Sequence, residues 1–127
     1  MKKIMLVTGH KFFAQSLANI MKTHSDLCSE LHLTYDIKQA ALDAEVLKAD
    51  MVIIDISAAT DALFGEVISL CGNLRKAAPD CRIILLIPGS DSECRKVAIN
   101  AVQDSTIDDF IYHDASLDYL FAKIQSI

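Results

Sequence analysis

The chain has 127 residues, 52% hydrophobic and 23% charged, the size and composition of one domain able to bury an ordinary core. Its net charge of −5, with lysines and arginines never more than two in a row, excludes a nucleic-acid surface, which needs clustered cations. The longest apolar runs, 51–54 and 83–88, are too short to span a bilayer, and Lys2 and Lys3 precede only four apolar residues, so the expected location is the cytoplasm.

Short apolar runs alternate with amphipathic stretches. Residues 4–7 predict a buried strand that ends at Thr8, Gly9 and His10. Residues 12–21 then carry Phe13, Leu17, Ile20 and Met21 at helical spacing. Residues 28–35 alternate and predict a weaker, half-exposed strand. Residues 37–47 are alanine-rich and helical. Residues 51–54 form a strongly apolar strand closed by Asp55, and 61–78 predict a long helix stopped by Pro79 and Asp80. Residues 83–87 are the most hydrophobic strand, ended by Pro88 and Gly89. Ser90 and Glu93 have capping-box spacing and open a helix running to about Val102. A short strand at 110–112 and a helix at 116–124 complete five strand–helix units.

Strands alternating with helices imply a parallel sheet covered on both faces, an α/β three-layer sandwich. The flavodoxin-like strand order 2-1-3-4-5 is the natural candidate. It puts the ends of the first and third strands side by side, so that Thr8, Gly9, His10 and Asp55 line a crevice that His113 can also reach. The four cysteines (Cys28, Cys71, Cys81, Cys94) contain no C-x-x-C pair and read as reduced, small apolar residues. His24 and His32 read as surface or edge residues.

The stretches "TGHKFFAQSL", "KADMVIIDIS", "LRKAAPDCRIILL" and "IDDFIYHDASLDYLFAKI" resemble response-regulator receiver (CheY-like) domains along the whole chain, 1–127. They are most similar to receivers that precede a LuxR-type DNA-binding domain, where the first stretch usually begins D-D-H-P. The resemblance implies a phosphoacceptor position at Asp55. It implies two Mg²⁺-binding acids where this chain has Thr8 and Gly9, and a switch hydroxyl where it has Pro88. It also implies a phosphate-pairing lysine where it has His113, and a switch aromatic at Phe110. Phosphoryl transfer depends on positioning and charge neutralisation, and Mg²⁺ is usually held by carboxylates. With Asp55 as the one obvious carboxylate, helped at best by the Ser57 carbonyl, Mg²⁺ binding is expected to be weak and no other cofactor is implied. Pro88 has neither hydroxyl nor N–H, and Ser90 stands two residues away. His113 is a poor substitute for a permanent cation.

The expectation is therefore a degenerate receiver, or pseudo-receiver, in bacterial signal transduction, working by protein interaction and not as an enzyme. An ordinary phosphoacceptor receiver using Asp55 is the alternative. His10 matches the histidine of D-D-H-P, which caps or packs at the first loop. "MLVTGHKFFAQSL" also resembles the start of mannose-type IIA domains, where that histidine carries a phosphoryl group and Asp55 would orient it; the Gly-rich loop expected after the aspartate is replaced by "SAAT". A metal site from His10, His113 and Asp55, with Asp114, is a third reading. The family pairs through the face of the fourth helix, fifth strand and fifth helix, where Lys96, Asp108, Asp109, Asp118, Tyr119 and Lys123 suggest charged rim pairs in a dimer. Receivers are usually joined to an output domain, which makes this the N-terminal part of a longer regulatory protein in one reading.

Overall fold

The three most apolar runs of the sequence become the middle of the sheet. A computed structural model describes residues 2–23, 28–56, 61–88, 92–112 and 115–126. Its elements are β1 (Lys2–Val7), α1 (Lys11–Lys22), β2 (Cys28–Thr34), α2 (Ile37–Leu47), β3 (Met51–Asp55), α3 (Asp61–Ala77), β4 (Arg82–Ile87), α4 (Ser92–Gln103), β5 (Asp109–Tyr112) and α5 (Leu117–Ser126). The five strands are all parallel, in the order β2-β1-β3-β4-β5. This is the predicted flavodoxin-like order, and the predicted elements coincide with the observed ones to within about two residues. Among the described residues no helix is long and apolar enough to cross a membrane.

Because side chains alternate across a strand, β1, β3 and β4 feed two separate cores. Met5, Val7, Val52, Ile54, Ile83, Leu85 and Ile87 pack with Ala40 and Ala44 of α2, Val67 and Leu74 of α3, and Ala98 of α4. Ile4, Leu6, Met51, Ile53, Ile84 and Leu86 pack with Leu17 and Met21 of α1 and with Leu120, Phe121 and Ile124 of α5. Each large aliphatic or aromatic side chain among them contributes roughly 1.5–3 kcal/mol by leaving water. The small alanines on α2 and α4 let those helices sit close to the sheet. Cys71, Cys81 and Cys94 are buried in the first core, as small apolar residues.

The edge strands differ in kind. β2 turns Leu31 and Leu33 half-inward and leaves Glu30 and His32 in solvent, the half-exposed pattern expected of it. β5 is only four residues long and pairs with β4 from Ile84↔Asp109 to Ile87↔Tyr112. Helix ends have local causes. Asp36 caps α2 by accepting the Lys38 N–H at 2.9 Å, and α2 ends where Lys48 takes a left-handed conformation at φ 54°. The capping box expected at Ser90 falls outside the described residues, although Glu93 does sit in the first turn of α4.

Candidate functional site

The register of β1 and β3 fixes what meets at the top of the sheet. Val7 lies opposite Ile54, so Thr8 and Asp55, each one residue further on, emerge side by side. Thr8 Oγ1 donates a hydrogen bond to Asp55 Oδ2 at 2.6 Å. Both residues are buried, Thr8 to 2% exposure and Asp55 to 6%; with Thr34 they are the buried polar residues among those described. Such groups must find partners or lose their hydration uncompensated. The Thr8 hydroxyl is filled on its accepting side too, by the His10 N–H at 3.1 Å. The Thr8 N–H donates to the Thr34 carbonyl at 3.1 Å, which ties the ends of β1 and β2 together.

The remaining predicted residues divide. Gly9 is exposed, and a Cβ built on it would meet no heavy atom within 4 Å. His10 stands at the N-cap of α1 with extended backbone, and its carbonyl accepts the Ala14 N–H at 3.0 Å. The residue is exposed and its side chain makes no capping bond, so it holds the expected cap position through its backbone. No hydrogen bond joins its ring to Asp55 among the described residues. Pro88 is half-buried at the end of β4. Phe110 is half-buried against the α4 side of the core and meets Tyr112 edge-on, with ring centroids 5.9 Å apart. Ser57, Ser90, His113, Asp114 and His24 lie outside the described residues. Among those described, no three His, Cys, Asp or Glu side chains gather as a metal site.

The Mg²⁺ that the receiver fold implies does not match the described residues. The Thr8 hydroxyl directs its proton at Asp55 Oδ2, an oxygen a cation would need, and Gly9 offers no side-chain donor. One carboxylate with a hydroxyl pointed at it is a satisfied buried pair and a poor cation cradle.

Two polar clusters went unanticipated. Asp108, just before β5, accepts from Arg75 at 2.8 Å, from Arg82 at 3.3 Å and from the Ile83 N–H at 2.8 Å. Asp109 accepts from Lys123 Nζ at 2.6 Å, and that ammonium also lies 5.8 Å from the Tyr119 ring centroid. Desolvation alone would raise the Asp108 carboxyl. The Arg75 hydrogen bond, the Ile83 N–H, the Arg75 charge and the Arg82 bond together hold it below its ordinary value. The bond to Asp109 chiefly raises the Lys123 ammonium. Asp108, Asp109 and Lys123, expected as rim charges for a partner, are thus paired within the chain. Thirty-three residues separate Arg75 from Asp108, and no spacing rule links them.

Exposed apolar groups are what the α4–β5–α5 face does offer. A groove of about 520 Å³ runs along β5 between Phe110, Tyr112, Ala115, Ser116 and Tyr119. Tyr112, Tyr119, Val97 and Ile99 are 36–49% exposed.

No protein-family model matches this sequence, and no curated protein matches it either. Solved structures do. A two-component response regulator from Clostridium difficile superposes with a TM-score of 0.78 at 22% identity, over 99% of this chain and 94% of that one. A CheY-like response regulator receiver domain protein from Methanospirillum hungatei gives 0.78 at 17% identity, over 99% and 92%. The beryllofluoride-activated NtrC4 receiver domain dimer gives 0.78 at 15% identity, over 99% and 95%. The chain has the fold of CheY-like receivers over its whole length; at these identities the likeness is one of fold.

Proposed function

We propose that the chain is a receiver-type module of bacterial two-component signalling that acts by protein contact, without phosphorylation, within a cytoplasmic regulatory protein. The observation that carries this reading is the buried Thr8–Asp55 hydrogen bond. A hydroxyl stands where the resemblance implies a metal-binding acid, and it satisfies the carboxylate that a phosphoryl group would need. The second position, Gly9, has no side chain. At the end of β4, Pro88 can neither donate nor accept through a side chain, so a modified Asp55 has no hydroxyl there to draw in.

The contact surface in this reading is the α4–β5–α5 face, and its first occupant is a second copy of the chain. The exposed Tyr112 and Tyr119 beside the β5 groove supply the kind of aromatic anchors that dominate interfaces. The likeness to a receiver domain that is a dimer supports a second copy as the occupant.

The test is intact mass after incubation with acetyl phosphate, with and without Mg²⁺, alongside Asp55→Ala and His10→Ala. No adduct is expected under any condition. An adduct that needs both Mg²⁺ and Asp55 restores an ordinary phosphoacceptor receiver. One that needs His10 restores a phosphohistidine carrier. Light scattering of Tyr112→Asp and Tyr119→Asp tests the face: both are expected to lower self-association relative to the parent chain.

A further inference from the structure

The contacts around Thr8 do not end at Asp55. Its hydroxyl takes the His10 N–H, and His10 is the residue from which α1 starts. The next residue, Lys11, holds its ammonium 5.8 Å from the centroid of the Tyr35 ring. Tyr35 follows Thr34, whose carbonyl accepts the N–H of Thr8 itself. The path therefore closes on itself: Asp55 to Thr8, Thr8 to His10, Lys11 to Tyr35, and Thr34 back to Thr8. Beside it Phe12 is 88% exposed, the most exposed large apolar side chain described.

We infer that Thr8 is a positioning residue that relays the condition of the Asp55 carboxylate to the rim formed by the start of α1 and Tyr35. The physical basis is the valence of one hydroxyl. Thr8 has a single proton, directed to Asp55, and this orients its lone pairs toward the His10 N–H. A group that occupies Asp55 Oδ2 or removes it takes away the acceptor that orients the hydroxyl. A buried threonine has few rotamers in which to find another. The His10 N–H then loses a partner of fixed orientation at the residue that launches α1. Position 88, at the end of β4, is a proline with no N–H and no side-chain hydrogen-bonding group. The relay holds whether or not Asp55 ever accepts a phosphoryl group, so it goes beyond the function proposed above.

The test is a double-mutant cycle on the ¹⁵N-labelled full chain, read by amide hydrogen exchange at His10 and by chemical shifts at Lys11, Tyr35, Tyr112 and Tyr119. Asp55→Ala removes the acceptor and is expected to speed His10 exchange on the order of tenfold, the equivalent of one hydrogen bond, and to shift Lys11 and Tyr35. Asp55→Asn keeps a carbonyl acceptor and is expected to leave His10 within twofold or so of the parent, the same reasoning applied to a retained bond. In a Thr8→Val background, Asp55→Ala is expected to add nothing at His10, Lys11 or Tyr35. The inference is overturned if Asp55→Ala leaves His10 unchanged, if its shifts concentrate at Tyr112 and Tyr119, or if its full effect survives in Thr8→Val. None of these outcomes depends on the acetyl phosphate result, so the two proposals fail separately.

Discussion

The guanidinium of Arg75 meets the carboxylate of Asp108 at 2.8 Å, although one comes from the last turn of α3 and the other from the turn that leads into β5. The same carboxylate oxygen takes the Ile83 N–H, and a second Arg75 nitrogen donates to the Cys81 carbonyl at 3.1 Å. The cluster fastens the entry of β4, the entry of β5 and the end of α3 at one point. Asp108→Ala leaves the Ile83 N–H without this acceptor and takes the carboxylate from a half-buried guanidinium that keeps the Cys81 carbonyl. It is expected to cost about 2–3 kcal/mol. Urea unfolding checks this: the midpoint falls with an unchanged slope, and a loss below roughly 0.5 kcal/mol would return the cluster to the class of surface pairs.

The same carboxyl predicts an acid limb of stability. Its folded value lies below the ordinary 3.8, and a group depressed by folding binds its proton more readily when unfolded. The sign follows. The contribution of Asp108 is fully present above about pH 5, declines as pH falls through the ordinary carboxylate range, and is lost below the folded value. Asp108→Asn is expected to flatten this part of the profile, as measured by melting temperature between pH 2.5 and 6, a range set by those carboxylate values. An unchanged acid limb would assign it to other carboxylates.

Two thiols report opening of the first core. Burial pushes Cys71 up to about 12 and Cys81 to about 11, so at pH 8 neither holds much thiolate in the folded chain. Iodoacetamide is expected to label both slowly under native conditions and fast in denaturant, with peptide mass spectrometry giving site-by-site rates. Rapid native labelling of Cys71 would mean that α3 opens from the sheet far more often than its packing implies.

A cation site is expected to be recoverable by substitution. Thr8→Asp with Gly9→Asp brings two carboxylates to Asp55, and the open space around Gly9 admits the second side chain without a clash. Without metal, the double variant is expected to be less stable than the parent, because like charges share a buried end of the sheet. Millimolar Mg²⁺ should then raise its melting temperature by several degrees or more through preferential binding to the folded form, while the parent stays unmoved. An equal Mg²⁺ response in both proteins would show that Thr8 and Gly9 are not what limits cation binding.

The fold was largely legible because its signals are local and repeated. The runs at 4–7, 51–54 and 83–87 are apolar without alternation, and only strands covered on both faces need that. The alternation of Leu31 and Leu33 with Glu30 and His32 marked β2 as an edge. The adjacency of Thr8 and Asp55 was legible, but their bonding was not. Thr8 and Asp55 could be placed side by side from topology, yet Thr8 read as an absence, a missing acid. In the structure it is a donor with both hydrogen-bonding roles filled. Asp108 shows the opposite failure. Its charge suggested a partner outside the chain, and a pairing across 33 residues leaves no trace in periodicity or spacing.

The ladder past Asp55 has a mechanical consequence. Asp55 pairs in register with Leu86, and the very next residue, Ile56, donates its N–H to the Leu86 carbonyl at 2.8 Å. The carboxylate is therefore mounted on a clamped rail in the middle of a five-stranded sheet, with Ile54 and Ile56 buried on either side of it. A backbone held that way does not travel to meet a ligand or a neighbour. Anything that engages Asp55 has to come to it and adapt its own shape.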